Sequence, residues 1–401
     1  MLIDNLEVKG FRSLGDTKMP KLGPINILYG ENNAGKSNIL AALETLFQVE
    51  NMEKLESPVG VFLKGELSNF VDNFTLSQNG EKASKINIKV RLLLDEKDLK
   101  QMPYFADFIR AMRFPEQKRK QRVYEQRHRQ RIDIEVEIEP SKADKAIRRV
   151  ESTSINDVIV YDPTKPESER FFGGLSAGAE ERQKAAEQLF NYLMNCFGTI
   201  RAGRSLTEEP VIERQLQNVS AKNFKSWLLG LSQSRGAEYE TFQEIARLFN
   251  EKPFEYGVVR PFVEGNSIGL VIKDNSNREL VIERYGTGVQ QVLILLADIV
   301  CSKAKILGIE EIELNLSPSL QNRLLTMLKD LVGKNANGLM SQLILTSHSK
   351  HLGKREDVVL YAVERDVAGN TNVKWGAEAI SQLPGHFDFG LMNLPGKKIW
   401  R

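Results

Sequence analysis

Cysteine is nearly absent. Cys196 and Cys301 are the two in a chain of 401 residues, far apart and without a CxxC spacing, which excludes a disulfide framework and a zinc knuckle. A reducing, cytoplasmic setting is therefore expected. Histidine is also scarce, at four residues, and a His/Cys transition-metal site is not expected. No long apolar run is found: the longest, Val292 to Val300, contains Asp298, so no membrane span is expected. Asp4 and Glu7 stand where an export signal needs a basic start and an apolar stretch. The formal net charge is only +2, which by itself names no partner. Hydrophobic residues at 41% and charged residues at 27% exclude a disordered or collagen-like chain, and the length predicts a sizeable core with more than one structural unit.

Charge is unevenly spread. Lys118, Arg119, Lys120, Arg122, Arg127, Arg129 and Arg131 are opposed within their segment by Glu125 alone. Such a stretch is either a dock for an anion such as nucleic acid or a solvated helix or hairpin tip, and with Tyr124 as its aromatic the sequence leaves both open.

Residues 24–29 form a short apolar run ending at Gly30, and residues 37–48 show helical spacing through Ile39, Leu40, Leu43, Leu46 and Phe47. Ile86, Ile88, Val90 and Leu92 alternate with polar residues, as do Ile132, Ile134, Val136 and Ile138, which predicts half-buried antiparallel strands flanking the basic segment. Val158 to Tyr161 reads as a further strand. Residues 177–250 read as helical, with Ala185, Leu189, Tyr192, Leu193, Cys196 and Phe197 on one face, and look like an insertion. Strand character returns at Ile268 to Ile272 and Glu279 to Ile282. There follow a helix from Gly288 to about Ser302, an apolar run Ile306 to Ile309, a helix from Ser317 to about Val332, and the run Leu343 to Leu345. The expected division is residues 1–176 for the first part of an α/β head with its antiparallel subdomain, 177–253 for a helical insertion, and 254–401 for the rest of the head.

The chemistry begins at Gly30-Glu31-Asn32-Asn33-Ala34-Gly35-Lys36-Ser37, a GxxxxGK[ST] loop between a buried strand and a helix. The glycines let the backbone fold into a nest whose amides face phosphate oxygens, and the helix start adds positive dipole. Lys36 reaches the terminal phosphates and Ser37 can ligate Mg²⁺. Glu310 and Glu311 follow the run Ile306 to Ile309; Glu310 is assigned to the metal and Glu311 to the base that polarises the attacking water. Gly286-Thr287-Gly288-Val289-Gln290-Gln291 opens a helix whose first amides could face an anion, or is simply a turn and cap. His348, in Thr346-Ser347-His348-Ser349 after an apolar strand, can set an imidazole against a γ-phosphate.

Taken in order, these four stretches resemble the Walker A, signature, Walker B and switch-histidine motifs of ABC-type ATPases. In detail, Gly30 to Asn38, Gly286 to Gln291, Glu310-Glu311, Thr346 to Ser349 and the N-terminal Gly10-Phe11-Arg12-Ser13 resemble the RecF/SMC-related AAA ATPases and the overcoming-lysogenization-defect (OLD) group. The resemblance implies an α/β, ABC-type P-loop head with an antiparallel β subdomain and a helical insertion. It implies two heads sandwiching ATP and Mg²⁺, with Gly286, Thr287, Gly288 and Gln290 acting on the partner's nucleotide. Arg12 would touch nucleotide and His348 would sense the γ-phosphate across the dimer. Three departures stand out: Glu310 where aspartate is common, Ile312 where OLD proteins have proline, and Leu316-Ser317-Pro318 in place of Leu-His-Pro. They imply slow hydrolysis or altered dimer contacts. OLD nucleases carry a TOPRIM domain of about 100 residues after the ATPase. Here 53 residues follow His348, so this chain is expected to lack that nuclease and to depend on a partner for such chemistry.

The expected function is thus a cytoplasmic ATPase, forming a homodimer or higher assembly, that controls a separate effector such as a nuclease or toxin in prokaryotic anti-phage defence. The alternative is a RecF-like ATPase of DNA maintenance, with residues 118–131 on nucleic acid. A transporter motor is ranked last, because about 250 residues separate Ser37 from Gly286, far more than such heads use. ATP serving only as structural glue is the non-enzymatic reading.

Overall fold

The computed structural model describes residues 1–47, 64–67, 73–74, 83–111, 130–140, 146–155, 158–172, 178–194, 196–202, 223–302, 304–332, 340–349, 352, 358–376 and 378–379. The basic segment 118–131 lies outside these residues except for Arg131, which stands in the strand Gln130–Pro140.

The first half carries β1 (Leu2–Phe11), β2 (Leu14–Pro20), β3 (Ile25–Tyr29), α1 (Lys36–Phe47), β4 (Lys64–Leu67), β5 (Ile86–Leu94), α2 (Glu96–Gln101) and α3 (Pro103–Ala111). Next come β6 (Gln130–Pro140), β7 (Ala146–Ile155), β8 (Val158–Tyr161), α4 (Ala179–Met194) and β9 (Phe197–Ile200). The second half has α5 (Phe224–Gln233), α6 (Ala237–Asn250), β10 (Val258–Glu264), β11 (Ser267–Lys273), β12 (Glu279–Val281) and α7 (Thr287–Cys301). It continues with β13 (Ile306–Ile309), α8 (Pro318–Leu331), β14 (Gln342–Ser347), β15 (Val359–Arg365) and β16 (Thr371–Trp375).

Among the described residues three sheets form. The antiparallel one runs β2-β1-β5-β6-β7-β4, with β8 also on β7. Its strands alternate buried and accessible residues, as in β5 with Ile86, Ile88, Val90 and Leu92 inside, so one face meets the core and the other meets water. A small antiparallel sheet holds β10-β11-β12. The third runs β16-β15-β3-β14-β13-β9, parallel from β15 to β9 with β16 antiparallel at the edge. Every residue of β13 and β14 is buried, the pattern of parallel strands covered on both faces.

Two apolar clusters cover those faces. On one side Leu28, Ile306 and Ile344 join α1, α4 and the inner face of the large antiparallel sheet. On the other, Ile25, Ile27, Leu307, Leu343 and Leu345 join the apolar stripes of α5 to α8. The α/β head with an antiparallel subdomain expected from the sequence is what forms. One part of that reading is corrected: α4 ends at Met194, and Phe197 to Ile200 form β9 instead of extending the helix. The β-branched Thr199 and Ile200 pair in register beside Gly308 and Ile309 of β13, and edge pairing outweighs the helical spacing of Cys196 and Phe197.

Arg148 of β7 ties the antiparallel sheet to α1. It is buried and donates from Nη1 to the Thr45 and Leu46 carbonyls at 3.3 and 3.2 Å, in the last turn of a helix that has no basic residue of its own there. Burial lowers its pKa to about 10.

Candidate functional site

The carboxyl ends of β3, β14 and β13 lie side by side, the edge of an open parallel sheet at which ligands bind. β3 delivers the loop Gly30 to Ser37, β13 delivers Glu310 and Glu311, and β14 delivers His348.

The loop is packed tightly from behind. A Cβ on Gly30 would lie 2.1 Å from the Val363 carbonyl oxygen, and one on Gly35 would lie 2.0 Å from Thr371 Oγ1. Gly35 also has φ +105° and Asn33 has φ 64°, left-handed backbone at two positions flanking Ala34 that gives the loop its tight turn. A chain of hydrogen bonds supports it: Asn38 Nδ2 donates to Ser13 Oγ at 2.8 Å, Ser13 and Thr371 hydroxyls lie 2.7 Å apart, and Thr371 Oγ1 donates to the Ala34 carbonyl at 2.9 Å. Thr371 is buried on β16 and was not singled out from the sequence; a lone threonine in a strand carries no signal of such a role.

Lys36 is buried at the first position of α1, and its Nζ donates to the carbonyls of Gly30 and Glu31, each at 2.7 Å. Burial lowers its pKa, while the carboxylates of Glu313, Glu311 and Glu31 pull the other way. Those carboxylates bring the acidic strand end into the field of the loop lysine. Ser37 and Asn32 are exposed and Asn38 is half-buried.

Glu310 is buried and accepts from Arg201 Nη1 at 3.1 Å. Glu311 has φ 43°, unusual for a long side chain, and its amide donates to Thr346 Oγ1 at 2.9 Å. Arg12, also at positive φ, donates to Asn73 Oδ1 at 2.6 Å and to Asn38 Oδ1 at 3.3 Å, next to the loop. Its pKa is lowered by burial first and then by Arg201, against the pull of Glu44 and Glu310.

His348 is half exposed. Its Nδ1 lies 2.8 Å from Glu313 Oε1, which also accepts the His348 amide at 2.6 Å. Glu313 is buried, and among the described residues its Oε2 has no hydrogen-bond partner, an orphaned acceptor in a site that already holds Lys36 and His348. Glu313 and Arg201 are the acidic and basic members that sequence reading missed. Arg201 follows a short apolar run, as Glu310 and His348 do, which is the signal that could have found it.

The glycine-led helix start has its own local contacts. Gly286 is the N-cap of α7 with no side-chain cap, Thr287 is exposed, and Gln290 Nε2 donates to the carbonyls of Ile282 and Tyr285 at 3.4 and 3.5 Å. A Cβ on Gly288 would come within 2.9 Å of the Asn315 carbonyl. Among the described residues no hydrogen bond or ion pair joins residues 286–290 to residues 30–37.

The donors present fit a nucleotide carrying Mg²⁺. The loop offers amides and a lysine, and Ser37 and Glu310 supply the hydroxyl and carboxylate that a metal shared with phosphate needs. Among the described residues no group of three or more His, Cys, Asp or Glu is arranged to hold a metal.

Residues 1–192 and 179–352 match the AAA ATPase domain family. The chain belongs to this family. The AAA ATPase domain here has the fold of an SMC head: it is similar to an SMC head bound to the C-winged helix domain of ScpA, at 15% identity and a TM-score of 0.50, covering 95% of this chain and 100% of that one. The SMC head domain from Thermotoga maritima aligns at 13% identity and a TM-score of 0.44, covering 94% and 99%. An uncharacterized protein of Methanocaldococcus jannaschii is 48% identical over 42 residues, 10% of this chain and 19% of that protein, so the match spans about a fifth of that relative's length. No helix among the described residues of this AAA ATPase domain is long and apolar enough to cross a membrane.

Proposed function

We propose that this AAA ATPase domain binds Mg-ATP at Gly30 to Asn38, hydrolyses it slowly, and uses the bound state to join a second copy head to head. The convergence of Lys36, Glu310, Glu311 and His348 at three neighbouring strand ends carries this reading. Gly288 packs against the Asn315 carbonyl of the chain's own 310–317 turn, and no hydrogen bond or ion pair among the described residues joins residues 286–290 to the phosphate loop, which supports a role for Gly286, Thr287, Gly288 and Gln290 in the partner's pocket.

In this reading the Asn32, Asn33, Ala34 and Gly35 amides hold phosphate oxygens, and Lys36 exchanges two carbonyls for the terminal phosphates. Ser37 and Glu310 hold Mg²⁺, which when bound supplies charge neutralisation on the phosphates. Glu311 takes the proton of the attacking water. His348 keeps Nδ1 on Glu313 and offers Nε2 to the γ-phosphate, and Arg12 adds a guanidinium at the pocket edge.

The pathway we favour, by likeness to the OLD group, is prokaryotic anti-phage defence, with a separately encoded nuclease or toxin as the effector. The SMC head of similar fold is bound to a winged-helix partner, and passing a nucleotide state to a bound protein is the behaviour proposed here. The basic segment 118–131 favours the second reading, a RecF-like head on DNA, and ATP turnover stimulated by DNA with steep salt dependence would select it. Light scattering of Glu311→Gln with and without Mg-ATP tests the main reading: the mass doubles on ATP addition, and Lys36→Ala neither binds ATP nor doubles. A monomer at saturating ATP, or unchanged ATP affinity in Lys36→Ala, would contradict it.

A further inference from the structure

Arg201 stands one residue beyond β9, at the same sheet edge as the nucleotide loop. Its Nη1 donates to Glu310 Oε1 at 3.1 Å and its Nη2 to Glu44 of α1. The arginine side chain is 55% exposed, whereas those of Glu310 and Glu44 are 12% and 16% exposed. An accessible cation therefore bridges two largely enclosed carboxylates, one of which is the carboxylate assigned to the metal.

This arrangement has an electrostatic consequence. A guanidinium on Glu310 already neutralises the charge that a divalent cation needs, and two cations on one carboxylate repel each other. Arg12 stands close enough for Arg201 to disfavour its charge, so the pocket edge holds two guanidiniums against Glu44 and Glu310. Glu44 gives the displaced guanidinium a second carboxylate on the spot. The fork of arginine spans both acids at once, which the single ammonium of lysine does not reproduce.

We propose that Arg201 is a positioning residue that competes with the divalent cation for Glu310, holding that carboxylate until the metal takes it and then resting on Glu44. The inference depends on the nucleotide reading of the site and adds to it a residue that sets the metal requirement. An ion pair with one exposed partner is weak, so the competition is one that a doubly charged cation wins.

The test uses the full chain and a non-hydrolysable ATP analogue, and it reads the Mg²⁺ concentration giving half-maximal nucleotide binding, with no turnover involved. Arg201→Gln lowers that concentration about threefold. Glu44→Gln raises it, because Arg201 then has Glu310 as its remaining carboxylate. Arg201→Lys falls between wild type and Arg201→Gln. A merely structural role would shift all three variants the same way, and that result overturns the proposal, as does an unchanged or higher Mg²⁺ requirement in Arg201→Gln. A wild-type protein that binds no nucleotide at any Mg²⁺ concentration overturns the underlying site reading, and this inference with it.

Discussion

Thr371→Val removes one hydroxyl while keeping the shape of the side chain, and the structure sets the size of the effect. Asn38 Nδ2 donates to Ser13, and Thr371 donates to the Ala34 carbonyl, so the Ser13 hydroxyl has its own proton to give to Thr371. Valine breaks two links of this chain. Each made bond contributes about 1 kcal/mol net, and a buried group left without a partner costs about 1–3 kcal/mol. Ser13 is half-buried and can turn to water, whereas the Ala34 carbonyl lies under a buried residue. The total is about 2–3 kcal/mol. It appears either as lost folding stability or, if the loop shifts to hydrate the carbonyl, as lost ATP affinity at about tenfold per 1.4 kcal/mol. Urea unfolding and nucleotide titration on the same variant measure the two parts. Thr371→Ser keeps the donor and stays near wild type in both. A Thr371→Val protein unchanged in stability and affinity, or a serine variant as damaged as the valine one, would refute the support assigned to β16.

Gly35→Ala adds a Cβ 2.0 Å from Thr371 Oγ1 at a backbone with φ +105°, so ATP affinity is lost in calorimetry even where the protein stays soluble. Lys36 has a pKa below the ordinary 10.5 in the free protein, and bound phosphates raise it; binding then takes up protons, so ATP affinity falls as the pH climbs toward 10.5, and titrations in buffers of different ionisation enthalpy detect the uptake. Arg148→Ala leaves the Thr45 and Leu46 carbonyls without their buried donor and opens a cavity, which lowers stability by about 2–4 kcal/mol in urea unfolding.

The parts of this fold that were legible in the sequence are those where one force dominates. β5 and β6 show period-two burial, β13 and the centre of β14, Leu343 to Leu345, are apolar runs, and the Gly30 to Ser37 loop carries its own chemistry. β9 was misread because Phe197 continues the apolar spacing of α4, and its strand state comes from pairing with β13, more than a hundred residues away. β15 and β16 passed unnoticed for a similar reason: β16 is an edge strand with little apolar character, held by β15 and by Ser13. Within the site, the residues proposed to meet phosphate and metal could be named from motif spacing. Those that hold them could not. Glu313 and Thr371 act through contacts between segments far apart in the chain, which no local pattern encodes, and Arg201 had only its place after a short apolar run as a signal.

The turn from Glu310 to Ser317 is where these contacts meet. The amides of Glu310 and Ile312 donate to the Ile200 and Thr346 carbonyls, which fasten the turn to β9 and β14. Glu313 grips His348, and Gln321 of α8 donates to the Leu316 carbonyl while accepting from Ser349 just beyond His348. Asn315, at φ 58°, presents its carbonyl to Gly288 so closely that no side chain fits between them. A short, strained turn therefore connects the acidic strand end, the histidine loop and the glycine-led helix start through buried or half-buried contacts. Such a turn has little room to deform continuously, because packed interiors shift between discrete arrangements. If the helix start faces a second copy as proposed, the contacts His348–Glu313 and Asn315–Gly288 on this one turn give a contiguous route from the histidine to the surface offered to the partner's nucleotide.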